Sequence, residues 1–218
     1  MWGRKKKNET LASQSEPEAL ESAQEVEDEP APESAGFDRS AGPLDSDEFG
    51  DRGKLLDAGS LWLPALQGAN IHFSLKEGSK QVLGVMYVFA ETVLQLQVYA
   101  APKSRGIWDE VRLDMRTSIA QQGGRSDEAD GPLGKELRAV LPAPNGQPGF
   151  AAFRYLGIDG PRWLLRATIY GRGIGDPALN AKFEEVVRAV VVNRGSAPYP
   201  PREMLELKVP QVAQAKQA

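Results

Sequence analysis

An α+β fold, an antiparallel sheet of about six or seven strands with two packed helices, is what the chain predicts from residue 51 onward. Three observations carry it. Short segments alternate apolar and polar residues with the period of two that a half-buried strand needs. Two longer segments repeat their apolar residues every three to four positions, as an amphipathic helix does. The elements fall in the order β-β-β(-β)-α-β-β-β-α, in which runs of strands broken by single helices indicate an antiparallel sheet with helices packed on it.

The elements follow in order. Residues 60–64 (Ser-Leu-Trp-Leu-Pro) form a short strand that stops at proline. In residues 70–76, Ile71, Phe73 and Leu75 alternate with His72, Ser74 and Lys76, which puts His72 on the polar side. Glu77-Gly78-Ser79 is turn chemistry. Residues 82–89 are apolar on both faces, as in a strand covered on two sides. Residues 94–99 alternate again. The first helix spans residues 106–122, with Ile107, Val111, Met115 and Ile119 as its stripe, Trp108 beside them, and Asp109 and Glu110 complementing the dipole of the first turn. Gly123-Gly124 ends it. After a polar loop, residues 136–141 return to a strand. Residues 150–156 and 162–170 form a hairpin across Gly157-Ile158-Asp159-Gly160-Pro161. The last helix starts with Asp176 as cap and Pro177 at the first helical position. Leu179, Phe183, Val186, Val187 and Val190 are its buried stripe, and Gly195 is its stop. An extended, proline-rich tail follows, in which Leu205, Leu207 and Val209 alternate. This topology is similar to the Mog1/PsbP-like α+β sandwich, an analogy of fold that transfers no function.

Charge divides the chain in two. Residues 1–50 hold 13 acidic and 5 basic side chains, a net of −8, whereas the remainder carries a net of +4. Few large apolar residues and four prolines leave residues 1–50 without the area to offset backbone entropy of about 1–2 kcal/mol per residue, so they are expected to be disordered. The expected organisation is a disordered tail over residues 1–50 with a basic tip, a single α+β domain over 51–210, and a frayed terminus over 211–218. The tip, Met-Trp-Gly-Arg-Lys-Lys-Lys, lacks the apolar stretch of a secretory signal, which points to a cytoplasmic protein. Residues 1–7 offer at most weak contact with an anionic membrane surface. No apolar run approaches the ~20 residues of a transmembrane helix.

Several blocks, taken together, resemble one family. They are Leu94-Gln95-Leu96-Gln97, Ala100-Ala101-Pro102-Lys103-Ser104, and Gly106-Ile107-Trp108-Asp109-Glu110-Val111-Arg112. Further along come Asp159-Gly160-Pro161-Arg162-Trp163, Val190-Val191-Val192 with Arg194-Gly195, and Pro200-Pro201-Arg202. In this order, with the basic-then-acidic start, they are similar to an uncharacterised actinobacterial family, domain of unknown function 3710, over about residues 1–210. The resemblance implies a bacterial cytosolic protein without a known reaction. Met204-Leu205-Glu206-Leu207 departs from that family's more proline-rich apolar ending.

Composition excludes much chemistry. The absence of cysteine rules out disulfides, thiolate metal sites and cysteine nucleophiles, and a single histidine rules out sites built from several imidazoles. Gly171-Arg172-Gly173-Ile174-Gly175 lies between a strand and a helix, as a phosphate-binding loop does. It lacks the following βαβ unit, and Asp176 at the cap would repel a phosphate. It reads as a plain connection. His72 reads as a surface histidine. Glu110 and Asp114 share a helix face as general acid–base pairs sometimes do, but Arg112 and Arg116 interleave with them, so a solvated ion-pair face is expected. No catalytic residue, cofactor or metal site is therefore assigned.

The candidate interaction surface comprises Arg154, Arg162, Arg166 and Trp108. Arg162 and Arg166 share one strand face, and Arg154 depends on the hairpin register. A three-residue loop closed by Gly157 and Pro161 puts it beside them as a basic patch, whereas a four-residue loop puts it with Trp163. The acidic tail would then be able to lie across such a patch. Trp108 adjoins the apolar stripe, where core packing is expected and a half-exposed contact is the functional reading. Paired strand aromatics of an RNA-binding motif are not recognised in the sequence. These readings favour a non-catalytic protein-binding or adaptor module whose protein partner is unknown. The alternatives are an anionic-ligand or nucleic-acid-binding module, and an enzyme whose carboxylates converge only in three dimensions.

Overall fold

The computed structural model describes residues 37–143 and 148–210. Residues 1–36 and 211–218, which hold the expected tail and frayed end, lie outside the described residues. The elements are β1 (Leu44–Asp45), α1 (Ser46–Phe49), β2 (Leu56–Asp57), β3 (Leu61–Leu63), β4 (Asn70–Leu75), β5 (Val82–Phe89) and β6 (Thr92–Ala100). They continue with α2 (Trp108–Gln121), β7 (Arg125–Gly131), β8 (Gly134–Pro142), β9 (Phe150–Gly160), β10 (Trp163–Gly171), α3 (Pro177–Ala189) and β11 (Val191–Val192). Seven strands form one antiparallel sheet in the order β4-β5-β6-β10-β9-β8-β7, and short strands form a second sheet, β1-β11-β3-β2.

The helices cover opposite faces of the large sheet. On one face Leu179, Phe183, Val186 and Val187 of α3 pack on Val85, Tyr87, Leu96, Leu165, Ala167 and Ile169. On the other, Trp108 packs with Ile107 and Leu164, and Ile119 with Leu137 and Ala139. Strand alternation dictates this split, since neighbours in β10 point to opposite faces. Two strand glycines mark where the tryptophans press on the backbone. A Cβ on Gly157 would collide with the Trp108 ring, and one on Gly160 with the Trp163 ring.

Apart from the arginine hairpin, the elements differ from the sequence expectations in four places. Elements begin before residue 50: β1 pairs with β11, and the buried Asp45 accepts a hydrogen bond from Trp163 Nε1 at 2.8 Å. The segment expected as a polar loop contains β7, which has no apolar alternation and is held by its ladder with β8. β3 joins the second sheet rather than the main meander. Finally, α3 stops at Ala189 because the β-branched run Val190-Val191-Val192 leaves to pair with β3 and β1.

Candidate functional site

A cavity of about 610 Å³ opens where α3 leaves the β7–β8–β9 wing of the sheet uncovered. That volume lies in the range of ligand pockets. Its apolar walls include Val140, Ala152, Ile174 and Pro177, and its charged groups are Arg125, Asp127, Arg138, Arg154 and Glu184. The register explains the cluster. Asp127 stands opposite Arg138, and Arg138 opposite Arg154, so the three cross the face in a row.

Two arginines directly across a ladder repel. Glu136, two residues from Arg138 on the same face, removes the conflict. It is 0% exposed and accepts from Arg138 Nε at 2.7 Å, from Arg154 Nε at 2.8 Å and from Arg154 Nη2 at 2.6 Å. From the helix side, Glu184 of α3 takes Arg154 Nη1 at 2.6 Å. Burial works against the Arg154 charge, but the bonds to Glu136 and Glu184 outweigh it and raise its pKa above the ordinary arginine value. Arg154 is thus a clamp between sheet and helix, already neutralised.

The free groups lie around it. Among the described residues the Arg125 side chain makes no ion pair or hydrogen bond, and both Nη groups of Arg138 are without one. Asn180 donates to the Ile174 and Asp176 carbonyls, at 2.8 and 3.0 Å, while its buried Oδ1 has no partner. The cavity therefore offers arginine donors at its rim, acceptors at Asp127 and the buried Asn180 Oδ1, and apolar walls between.

The expected arginine patch does not form. The hairpin turns at Pro161–Arg162, with Gly160 paired to Trp163, and Arg154 stands opposite Ile169 on the Trp163 face. Arg162 occupies the turn with φ +64°, a conformation glycine favours, and so belongs to neither strand. Arg166 lies on the α2 face, donating to Gln97 Oε1 at 2.5 Å with its guanidinium 5.1 Å from the centre of the Tyr99 ring. Trp108 is buried, and its Nε1 donates to the Lys135 carbonyl at 2.7 Å. Arg154 and Arg166 thus lie on opposite faces of the sheet, Arg162 sits in the turn, and Trp108 is buried on the face that carries Arg166.

Other groups singled out in the sequence fall as follows. His72 is exposed on β4. Glu110 and Asp114 pair with Arg202 from the C-terminal segment, at 2.8 and 2.7 Å, rather than with Arg112 and Arg116. The Gly171–Gly175 stretch forms a 3₁₀ turn, and Asp176 occupies the N–H groups of Ala178 and Leu179 that a phosphate would need. Strand aromatics do assemble on the α2 face: Phe153 stacks on Tyr155 at 5.9 Å and meets Tyr170 at 5.7 Å. Their register, Tyr170 opposite Phe153 and Thr168 opposite Tyr155, was hidden by the misplaced turn. Arg125, Glu136, Asn180 and Glu184 carried no sequence signal, because nothing in Lys-Glu-Leu-Arg marks Glu136 as the fully buried member.

The fold and cavity define a helix–sheet–helix α+β protein with a preorganised, arginine-rimmed recess. No helix among the described residues is long and apolar enough to cross a membrane, and no group of three or more His, Asp or Glu among them is arranged to hold a metal ion. The chain belongs to the family described as "Protein of unknown function (DUF3710)", whose model matches residues 42–216. No curated protein and no solved structure matches it.

Proposed function

We propose that this is a cytoplasmic, non-catalytic binding or adaptor module that recognises an acidic, partly apolar segment of a partner protein in the cavity beside α3. One observation carries the reading. Arg125 and the Nη groups of Arg138 stand unpaired at the rim of an apolar-walled recess, while the charge beneath them is already compensated by Glu136 and Glu184. Free guanidinium forks grip carboxylates, and the adjoining walls accept apolar side chains. Arg154 does not meet the partner in this arrangement. It fixes Glu136, which in turn orients Arg138.

Affinity capture with the full chain, at low and high salt, against the Arg125→Ala/Arg138→Ala variant tests this. The expected result is a stoichiometric protein that is lost both from the variant and at raised salt. Capture of nucleic acid with a steep salt dependence would instead support the anionic-ligand alternative. Identical capture by both proteins would sink the cavity as the recognition site.

A further inference from the structure

At the far end of β9 from the cavity, a second pair of arginines stands without carboxylate partners. We infer that Arg162 and Arg194 form a binding site for an oxyanion, the group shared by carboxylate and phosphoryl ligands. This site is separate from the recess beside α3.

Arg194 follows β11 and is only 7% exposed. Its Nη1 donates to the carbonyls of Gly195 and Ala197, its guanidinium lies 5.5 Å from the centre of the Tyr199 ring, and its buried Nε has no partner. Among the described residues no carboxylate comes within ion-pair distance, and Nη2 makes no hydrogen bond. A buried guanidinium with no carboxylate in contact is costly, and Asp45 acts on this one only from beyond ion-pair distance. Burial, followed by the charge of Arg162, lowers its pKa.

Arg162 is the second oddity. It follows Pro161 in the turn at φ +64°, where glycine or asparagine is the usual choice, and the Ala101 N–H pins its carbonyl at 2.9 Å. Its guanidinium makes no hydrogen bond or ion pair with another described residue, and its charge is felt at Arg194. Backbone of this kind persists only where the surrounding structure over-determines it, as the paired strands on either side of the turn and the Ala101 bond do here.

The hydrogen bond from Trp163 to Asp45, with Asp45 opposite Val192, brings the turn to the exit of β11 where Arg194 stands. Both oxygens of Asp45 are engaged, by Trp163 Nε1 and by the Asp47 N–H, and Arg39 is paired with Glu48 at 3.0 Å. Setting Asp45 against the two free arginines leaves one positive charge in surplus. One oxyanion supplies the balance.

The test follows the arginine Nε–Hε NMR signals of the full chain during titration with acetate and with inorganic phosphate, against chloride at equal ionic strength. Arg162→Gly is the variant of choice, since glycine suits the turn at this φ and removes the whole side chain with its charge while leaving the backbone unstrained. A saturable shift at Arg194 with either probe, weakened roughly tenfold or more in the variant, is expected for loss of one charge-assisted contact. The more effective probe tells carboxylate from phosphoryl. The Arg125→Ala/Arg138→Ala variant should titrate like the parent, which separates this site from the recess. A linear shift matched by chloride, or saturation that survives Arg162→Gly, means an adventitious ion only and overturns the inference.

Discussion

Replacing Arg154 by alanine should destabilise the protein by about 3 kcal/mol, the lower end of the cost of stripping one partner from a buried ion pair. Glu136 is 0% exposed and loses the two bonds that Arg154 makes to it, keeping only Arg138, whose side chain is 62% exposed. Glu184 loses its sole ion pair among the described residues, but at 13% exposure it can still reach water. Arg138 tempers the loss at Glu136, and water tempers it at Glu184. That is why the lower end of the range applies. For a chain of this size, about 3 kcal/mol corresponds to a fall in Tm of roughly 6–12 °C. Urea unfolding of the full chain, followed by tryptophan fluorescence, measures it directly. The triple variant Arg154→Met/Glu136→Gln/Glu184→Gln removes the charges together and should recover most of the loss. A drop below about 1 kcal/mol for Arg154→Ala would mean that the carboxylates find other partners, and the clamp would then be no clamp.

Other perturbations have equally definite outcomes. Gly157→Ala forces a Cβ into the Trp108 ring and should cost about 1–3 kcal/mol by overpacking, read as a lower urea midpoint. Trp108→Ala should cost about 3–5 kcal/mol as a buried aromatic truncation; an unchanged midpoint would contradict core packing. Asp159 accepts the N–H groups of Ile107 and Trp108 at the start of α2, so Asp159→Ala should lose about 0.5–2 kcal/mol while Asp159→Asn, which keeps an acceptor, loses less at pH 7. Burial holds the Asp159 carboxyl above its usual 3.8 despite those hydrogen bonds, so the folded chain binds this proton more tightly than the unfolded one. Its contribution is therefore full below pH 3.8 and fades as pH rises through the higher folded value. Asp159→Asn should remove that part of the pH profile, and a profile identical to the parent's would refute the assignment.

The fold class was legible because it rests on local periodicity. Leu94 to Tyr99 alternate, and Ile107, Val111, Met115 and Ile119 keep a helical step whatever surrounds them. β7 was not legible, because Arg-Ser-Asp-Glu-Ala-Asp-Gly satisfies no apolar pattern; it is an edge strand whose stability comes from the β8 ladder. Residues 44–49 read as tail because their anchor, Asp45 on Trp163, spans more than a hundred positions. The hairpin register failed on one backbone fact, that Arg162 takes a positive φ and lets the turn close in two residues. That shift sent Arg154 to the opposite face from Arg166 and dissolved the predicted patch. The cavity was invisible for a related reason: Glu136, Arg154 and Glu184 meet from three elements, and composition cannot tell a solvated glutamate from one sealed under a helix.

The two glycines of β9 carry a consequence for how the chain length is policed. Trp108 presses on Gly157 from the α2 side and Trp163 on Gly160 from the α3 side, three residues apart on a single strand. A slip of one residue would set Leu156 or Ile158 beneath Trp108 and Asp159 or Pro161 against Trp163. Both errors occur at once, on opposite faces, so no repacking of one layer can absorb them. The pair acts as a two-pin key. A single-residue insertion or deletion between Gly157 and Gly160 cannot be accommodated by sliding, whereas substitutions that keep the spacing disturb one pin at a time.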